Sequence, residues 1–259
     1  MRYIIVGDIH GCHSEAFQLF AELEIKDDDK FISIGDIIHK GPKEERCISL
    51  CKMVEDFYIL GNHEEKQLRW QKHEENRQQT GRSNPMMHVE DYVQLGVRHS
   101  AWLKDAAKLF HQFEVAGQTY LLVHGGIEPR LRSLPEVEEA YQLSKKEKSY
   151  SWNMLRTRYV NPKGGMVSLG DEKPEDKYWA EVYDGRFGHV IFGHQPFLER
   201  NTPREYEHAT GIDLGCVYGG HLCAFIINED GTTGFHTVKA RDKYQRHRGE
   251  NKTHSVIPS

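Results

Sequence analysis

Along the first sixty residues, short apolar runs alternate with longer stretches in which apolar residues recur every third or fourth position. Tyr3–Val6, Phe31–Ile34 and Phe57–Leu60 are β-branched or aromatic and too short for helices, so they predict strands. Between them, Ser14–Leu23 places Ala16, Phe17, Phe20 and Leu23 on one helical face. A second helix is predicted from Pro42 onward, burying Cys47, Leu50, Cys51 and Val54. This βαβαβ order predicts right-handed crossovers and a parallel sheet, with ligands off the strand carboxyl ends. Residues 64–108 turn charged and Gln-rich, which predicts a mostly helical accessory insert broken around Gly81–Pro85. Phe110–Val115 and Thr119–Val123 predict a hairpin around Ala116-Gly117-Gln118. Ser133-x-x-Glu136 has the form of a capping box and predicts a short helix. Residues 160–176, rich in Gly and Pro, predict a surface loop. Strand pattern returns at His189–Phe192 and from Leu222 to Val238, turning at Asn228–Gly234. The expected fold class is α/β, a mixed β-sandwich of two sheets flanked by helices. One domain would span residues 1–238, followed by a basic, mobile tail at 239–259 that carries Lys239, Arg241, Lys243, Arg246 and Arg248.

Composition narrows the function classes. A chain of 259 residues buries a substantial core without disulfides. A net charge of −5 gives no support for nucleic acid or a membrane surface as the main partner. No apolar run is long enough for a signal peptide or a membrane span. Five cysteines without a CxxC spacing read as buried thiols in a reducing, cytoplasmic setting, Cys12 included.

The chemistry lies where strands end. Gly7-Asp8-Ile9-His10-Gly11 follows the first strand, Gly35-Asp36-Ile37-Ile38-His39-Lys40-Gly41-Pro42 the second, and Gly61-Asn62-His63-Glu64 the third. Val123-His124-Gly125-Gly126 and Phe192-Gly193-His194-Gln195-Pro196 follow two later ones. Singly, an Asp after a strand caps a helix and a His is a structural imidazole. Five such sites in one chain instead gather two Asp, one Asn and several His on one sheet edge, as a metal centre requires.

This set resembles the metallophosphoesterase signature in its phosphoprotein phosphatase variant, and Ile212–Leu222 is similar to that family's late motif. The resemblance implies hydrolysis of phosphate esters by a metal-bridged hydroxide, without a phosphoenzyme. It implies that Asp8, His10 and a bridging Asp36 hold one metal, and that Asp36, Asn62, His124 and His194 hold the other. Ligands of N and O alone suit two divalent ions, Mn²⁺ first, with Fe or Zn²⁺ as alternatives. His63 would be the general acid on the leaving oxygen.

Two positions depart from the family pattern. His39 stands where a carboxylate usually orients the acid histidine, and an imidazole brings no negative charge to raise the pKa of His63. Lys40 stands where an arginine usually grips phosphate and keeps the charge without the bidentate fork. The Trp152–Arg158 segment resembles the family's Trp-x-x-Arg region. Arg156 and Arg158 are both candidates; helical spacing would turn only one inward, and Arg156 is favoured. Tyr218 borders the pocket or packs in the core, and the Gln- and His-rich stretch 66–80 touches substrate or is a solvated face. Phosphatase action on Ser/Thr phosphate is the first reading, with a phosphoprotein as partner. Hydrolysis of nucleotide anhydrides such as diadenosine tetraphosphate is the alternative, favoured by weak acid assistance at His39. Action on RNA ends and a catalytically weak metal-binding protein complete the rival readings.

Overall fold

The computed structural model describes residues 1–82 and 93–246. In chain order its first half runs β1 (Arg2–Val6), α1 (His13–Leu23), β2 (Lys30–Ser33), α2 (Glu44–Val54), β3 (Tyr58–Ile59) and α3 (Asn62–Thr80). Then come α4 (Val97–Asp105), β4 (Ala107–Lys108), β5 (Phe110–Val115) and β6 (Gln118–Val123). The second half holds α5 (Lys145–Ser151), a 3₁₀ turn at Trp152–Leu155, β7 (Tyr159–Val160), β8 (Met166–Val167), β9 (Lys177–Tyr178) and α6 (Trp179–Val182). It closes with β10 (His189–Phe192), β11 (Arg204–Glu205), β12 (Ala209–Gly211), β13 (His221–Asn228) and β14 (Thr233–Lys239).

Two mixed sheets form the sandwich, in the orders β14-β13-β1-β2 and β11-β12-β10-β6-β5. In the first, β1 runs parallel to β2 and antiparallel to β13; in the second, β10 runs parallel to both β6 and β12. Strand side chains alternate between faces. Ile5 and Ile32 accordingly share one buried cluster with Tyr120, Leu122 and Ile191 of the other sheet. Their neighbours Ile4, Val6, Leu121 and Val123 join the cluster that includes Ala16 and Leu19 of α1. The strand ends that carry the motifs are thereby fixed by core on both sides.

Several expectations shift. The third strand shrinks to Tyr58–Ile59 and pairs with β4 instead of extending the β1–β2 sheet. The end of the insert supplies its partners, with Tyr58 N donating to Ala106 O at 3.1 Å and Leu60 N to Lys108 O at 2.8 Å. On α1 the buried stripe is Ala16, Leu19, Phe20 and Leu23, the i, i+3, i+4, i+7 set, and Phe17 is 60% exposed. α2 begins at Glu44, two residues after Pro42, and buries Cys47, Ile48 and Cys51, whereas Leu50 and Val54 are only partly covered. Ser133 starts no helix. Leu134 precedes Pro135 and is thereby steered away from the helical region, and the capping box forms instead at Ser144 and Glu147, opening α5. The 160–176 segment is partly organised by the small β8-β7-β9 sheet.

In the insert, the first turns of α3 bury Glu64, Glu65, Gln67 and Trp70, and Gly81 ends the helix with φ 71°. Most of the break expected at Gly81–Pro85 lies outside the described residues. Beyond Lys239 the chain stays on the domain: Arg241 N and Tyr244 Oη both donate to the buried Glu15 carboxylate, at 2.9 and 2.8 Å. Arg248 and the rest of 247–259 lie outside the described residues. Among the described residues no helix is long and apolar enough to cross a membrane.

Candidate active site

The five motif loops converge, four from the two large sheets and one from the β3–β4 pair. Asp8 and His10 follow β1, Asp36 follows β2, and Asn62 opens α3 after β3; His124 and His194 follow β6 and β10. Reaching one point demands unusual backbone. His10, Asp36, His39, Lys40 and His194 all adopt positive φ, five of the seven such non-glycine residues among those described. L-residues held in this region cost of order 1–3 kcal/mol each and cluster at functional sites. Glycines make the room: a Cβ on Gly193 would lie 2.2 Å from Asp8 Oδ1, and one on Gly61 would lie 2.3 Å from both Asp36 N and Asp36 Oδ1.

Backbone carbonyls orient the imidazoles. His10 Nδ1 lies 3.0 Å from Ile38 O and His124 Nδ1 lies 2.8 Å from Ile34 O. Each Nδ1 must therefore carry the proton, which leaves the Nε2 lone pair able to serve as a ligand. His10 Nε2 is 3.5 Å from Asp36 Oδ2 and 3.9 Å from Asp8 Oδ2. His124 Nε2 is 3.3 Å from Asp36 Oδ1 and 3.1 Å from Asn62 Oδ1. Both Asp8 oxygens accept from His194 N at 3.1 Å, tying β1 to the β10 loop. Asp36, His124 and His194 offer ligand atoms within 4.8 Å of one another, and so do His10, Asp36 and His63.

Burial and crowding set the charges. Burial, then Asp213, pushes the Asp8 carboxyl up. Burial would raise Asp36 too, but His124, His63 and His10 hold it well below the usual range. Burial would lower His124, yet attraction to Asp36 and Asp8 raises it to about 9. The buried carboxylates thus call for positive charge, and His194 Nε2 is buried with no hydrogen-bond partner among the described residues. An oxygen and nitrogen donor set with an orphaned imidazole nitrogen fits divalent cations.

His63 Nδ1 lies 3.0 Å from His39 Nδ1, and His39 Nε2 lies 2.9 Å from Gln67 Oε1. An imidazole does back His63 where a carboxylate was the family expectation. Burial, with Lys40 and His39 adding to it, lowers His63 to about 3. Lys40 Nζ reaches His10 Nε2 at 2.8 Å and lies 5.4 Å from the Tyr218 ring centre, so Tyr218 flanks this cation.

Arg156 and Arg158 lie past the end of the 3₁₀ turn, so helical spacing does not choose between them. Arg156 Nη2 pairs with Glu65 Oε2 at 2.6 Å. Its backbone packs on the His124 loop, a Cβ on Gly125 being 2.8 Å from Arg156 N. Arg158 Nη2 donates to His194 O at 2.7 Å and feels Asp213, Asp36 and Asp8.

Three residues were given no role by the sequence reading. Glu64, wholly buried, accepts from Asp36 N at 2.8 Å and Ile38 N at 3.1 Å and so holds the second loop in place. Asp213 lies buried near Asp8 and Lys40 and accepts from Gly215 N at 2.9 Å. Both sat inside motifs already noticed. Gln67 lies in the Gln- and His-rich stretch 66–80, and its i+4 spacing from His63 on α3 is the signal for its contact with His39.

Comparison with known proteins agrees with this geometry. The calcineurin-like phosphoesterase description matches residues 1–225. A bis(5'-nucleosyl)-tetraphosphatase PrpE [asymmetrical] of Oceanobacillus iheyensis is 27% identical over 246 residues, covering 88% of this chain and 90% of its own. The protein of the same name from Bacillus thuringiensis is 28% identical over 248 residues, covering 86% and 89%. A crystal structure of a candidate diadenosine tetraphosphatase superposes with a TM-score of 0.66 at 23% identity, over 92% of this chain and 93% of its own. A Saccharomyces cerevisiae protein serine/threonine phosphatase does so at 0.54 and 13% identity, over 93% and 81%. With its fold, its strand-end motifs and this match in agreement, the chain belongs to the calcineurin-like phosphoesterase family and is a phosphoric ester hydrolase.

Proposed function

We propose that the protein hydrolyses dinucleoside polyphosphates of the bis(5'-nucleosyl)-tetraphosphate type. The observation that carries this reading is the neutral imidazole, His39, behind a His63 whose affinity for a proton is low. A nucleotide leaves as a phosphate whose second pKa is about 6, so it departs at neutral pH with little help from an acid. A serine or threonine oxygen has to take up a proton as it leaves. The names of the relatives point the same way. The phosphoprotein reading rests on a fold likeness at 13% identity, which carries no activity.

In this proposal Asp8, His10 and Asp36 hold one divalent cation, and Asp36, Asn62, His124 and His194 the other, with Mn²⁺ the first choice for such donors. Bound there, the pair supplies an activated water and neutralises phosphoryl oxygens. His63 faces the leaving oxygen and Lys40 offers a cation to the phosphate chain. Arg156 steadies the phosphate when drawn from Glu65, and Arg158 braces the His194 loop. The test compares bis(5'-adenosyl) tetraphosphate with a phosphothreonine peptide on the Mn²⁺-loaded protein, with chromatography of the products. Preference for the dinucleotide by about a hundredfold in kcat/KM, some 2.7 kcal/mol, is expected. Preference for the peptide would overturn the reading.

A further inference from the structure

We propose that Gln67 is a positioning residue that, through His39, fixes which nitrogen of His63 presents its proton to the substrate; this rests on His63 being the acid of the reading above. Gln67 is wholly buried. Its amide is oriented by one residue: Val93 N donates to Oε1 at 3.2 Å, and Nε2 donates to Val93 O at 2.6 Å. This two-point pairing with a backbone N–H and C=O leaves a single orientation for the amide, because reversal would face donor with donor and acceptor with acceptor.

The oriented oxygen then determines the rest. Oε1 also accepts from His39 Nε2 at 2.9 Å, so His39 carries its proton on Nε2 and turns a lone pair on Nδ1 toward His63. His63 Nδ1, 3.0 Å away, must be the donor. The other nitrogen, Nε2, lies 3.8 Å from Asp36 Oδ2 and is the one that faces the site. A proton on His63 Nε2 is then compatible with every bond behind it. With His39 protonated on Nδ1 instead, a doubly protonated His63 would set N–H against N–H. In the usual arrangement a carboxylate removes this conflict by charge; here an uncharged amide removes it by hydrogen-bond direction alone.

Side chains of similar length but opposite polarity separate this role from packing. Gln67→Glu still accepts from His39, Gln67→Lys can only donate, and Gln67→Leu does neither. Nitrogen-15 histidine spectra of the Zn²⁺-loaded protein read the tautomer of His39, and rates with phenyl phosphate and p-nitrophenyl phosphate read the demand for a proton. The wild type and Q67E should show His39 protonated on Nε2 and share one ratio of the two rates. Q67K should move that proton to Nδ1, and both Q67K and Q67L should lose about tenfold more activity on phenyl phosphate than on p-nitrophenyl phosphate. An unchanged tautomer in Q67K, or equal losses on both substrates in Q67L, would overturn the proposal. Should Q67K not fold, Q67L decides on the rates. His63→Ala serves as the separate control: equal losses on both substrates there sink the acid role itself, whereas the tautomer spectra still report on Gln67.

Discussion

Glu55 offers a stability test well away from the reacting groups. It follows α2, is 6% exposed, and takes a hydrogen bond from Ser33 Oγ at 2.9 Å on Oε2, while Oε1 is buried without a hydrogen-bond partner among the described residues. Burial raises its carboxyl from 4.5 to about 7, with the hydrogen bond from Ser33 and the nearby Cys51 thiol opposing the rise. The folded state therefore holds this proton more tightly than the unfolded chain. Stability from this group is fully present below about pH 4.5 and is lost as pH climbs through 7. A shift of this size is worth about 3 kcal/mol. Glu55→Gln keeps an oxygen for Ser33 and cannot ionise. In urea melts, the variant should equal the wild type near pH 4.5 and exceed it by up to about 3 kcal/mol at pH 8, raising Tm by roughly 6–12 °C. The difference between variant and wild type cancels the titration of every other group. A gain of the same size at every pH, or no gain at pH 8, would refute the reasoning.

Other expectations concern the site. His39→Asp should place a carboxylate behind His63 and raise phenyl phosphate turnover about tenfold relative to p-nitrophenyl phosphate; an unchanged dependence on leaving group would count against the weak-acid account. His194→Ala should lower bound Mn²⁺ from two ions per chain toward one by elemental analysis and cut kcat at least about a hundredfold, and full metal retention would remove His194 from the proposed ligands. Gly61→Ala, whose methyl would collide with Asp36, should destabilise the fold by about 1–3 kcal/mol in urea melts and reduce metal content with it. A variant as stable as wild type would mean that the loop yields freely.

Much of the site was legible because each candidate ligand sits directly behind an apolar run and beside a glycine, a local pattern that needs no knowledge of tertiary contacts. What was missed depends on those contacts. Glu64 and Gln67 lie in a polar helix whose composition says solvent, and only the approach of the second loop and of Val93 buries them. The two-residue β3 is too short for periodicity to reveal its partner. Ser133 and Ser144 both open an S-x-x-E pattern, and Pro135 is the local feature that separates them. Nothing in the letters His39-Lys40 announces two successive left-handed residues.

Because Asp8 and Asp36 come from one sheet while His124 and His194 come from the other, the proposed cation site straddles the seam of the sandwich. An ion held there would act as a rivet between two halves that otherwise meet through a buried apolar cluster. Loading and folding then become linked equilibria, with each hundredfold excess of free ion over its dissociation constant adding about 2.7 kcal/mol to the folded state. Chelation should therefore loosen hydrogen exchange first at Val6–Asp8 and Phe192–His194, the strand ends that the rivet joins, and only later in the helices outside.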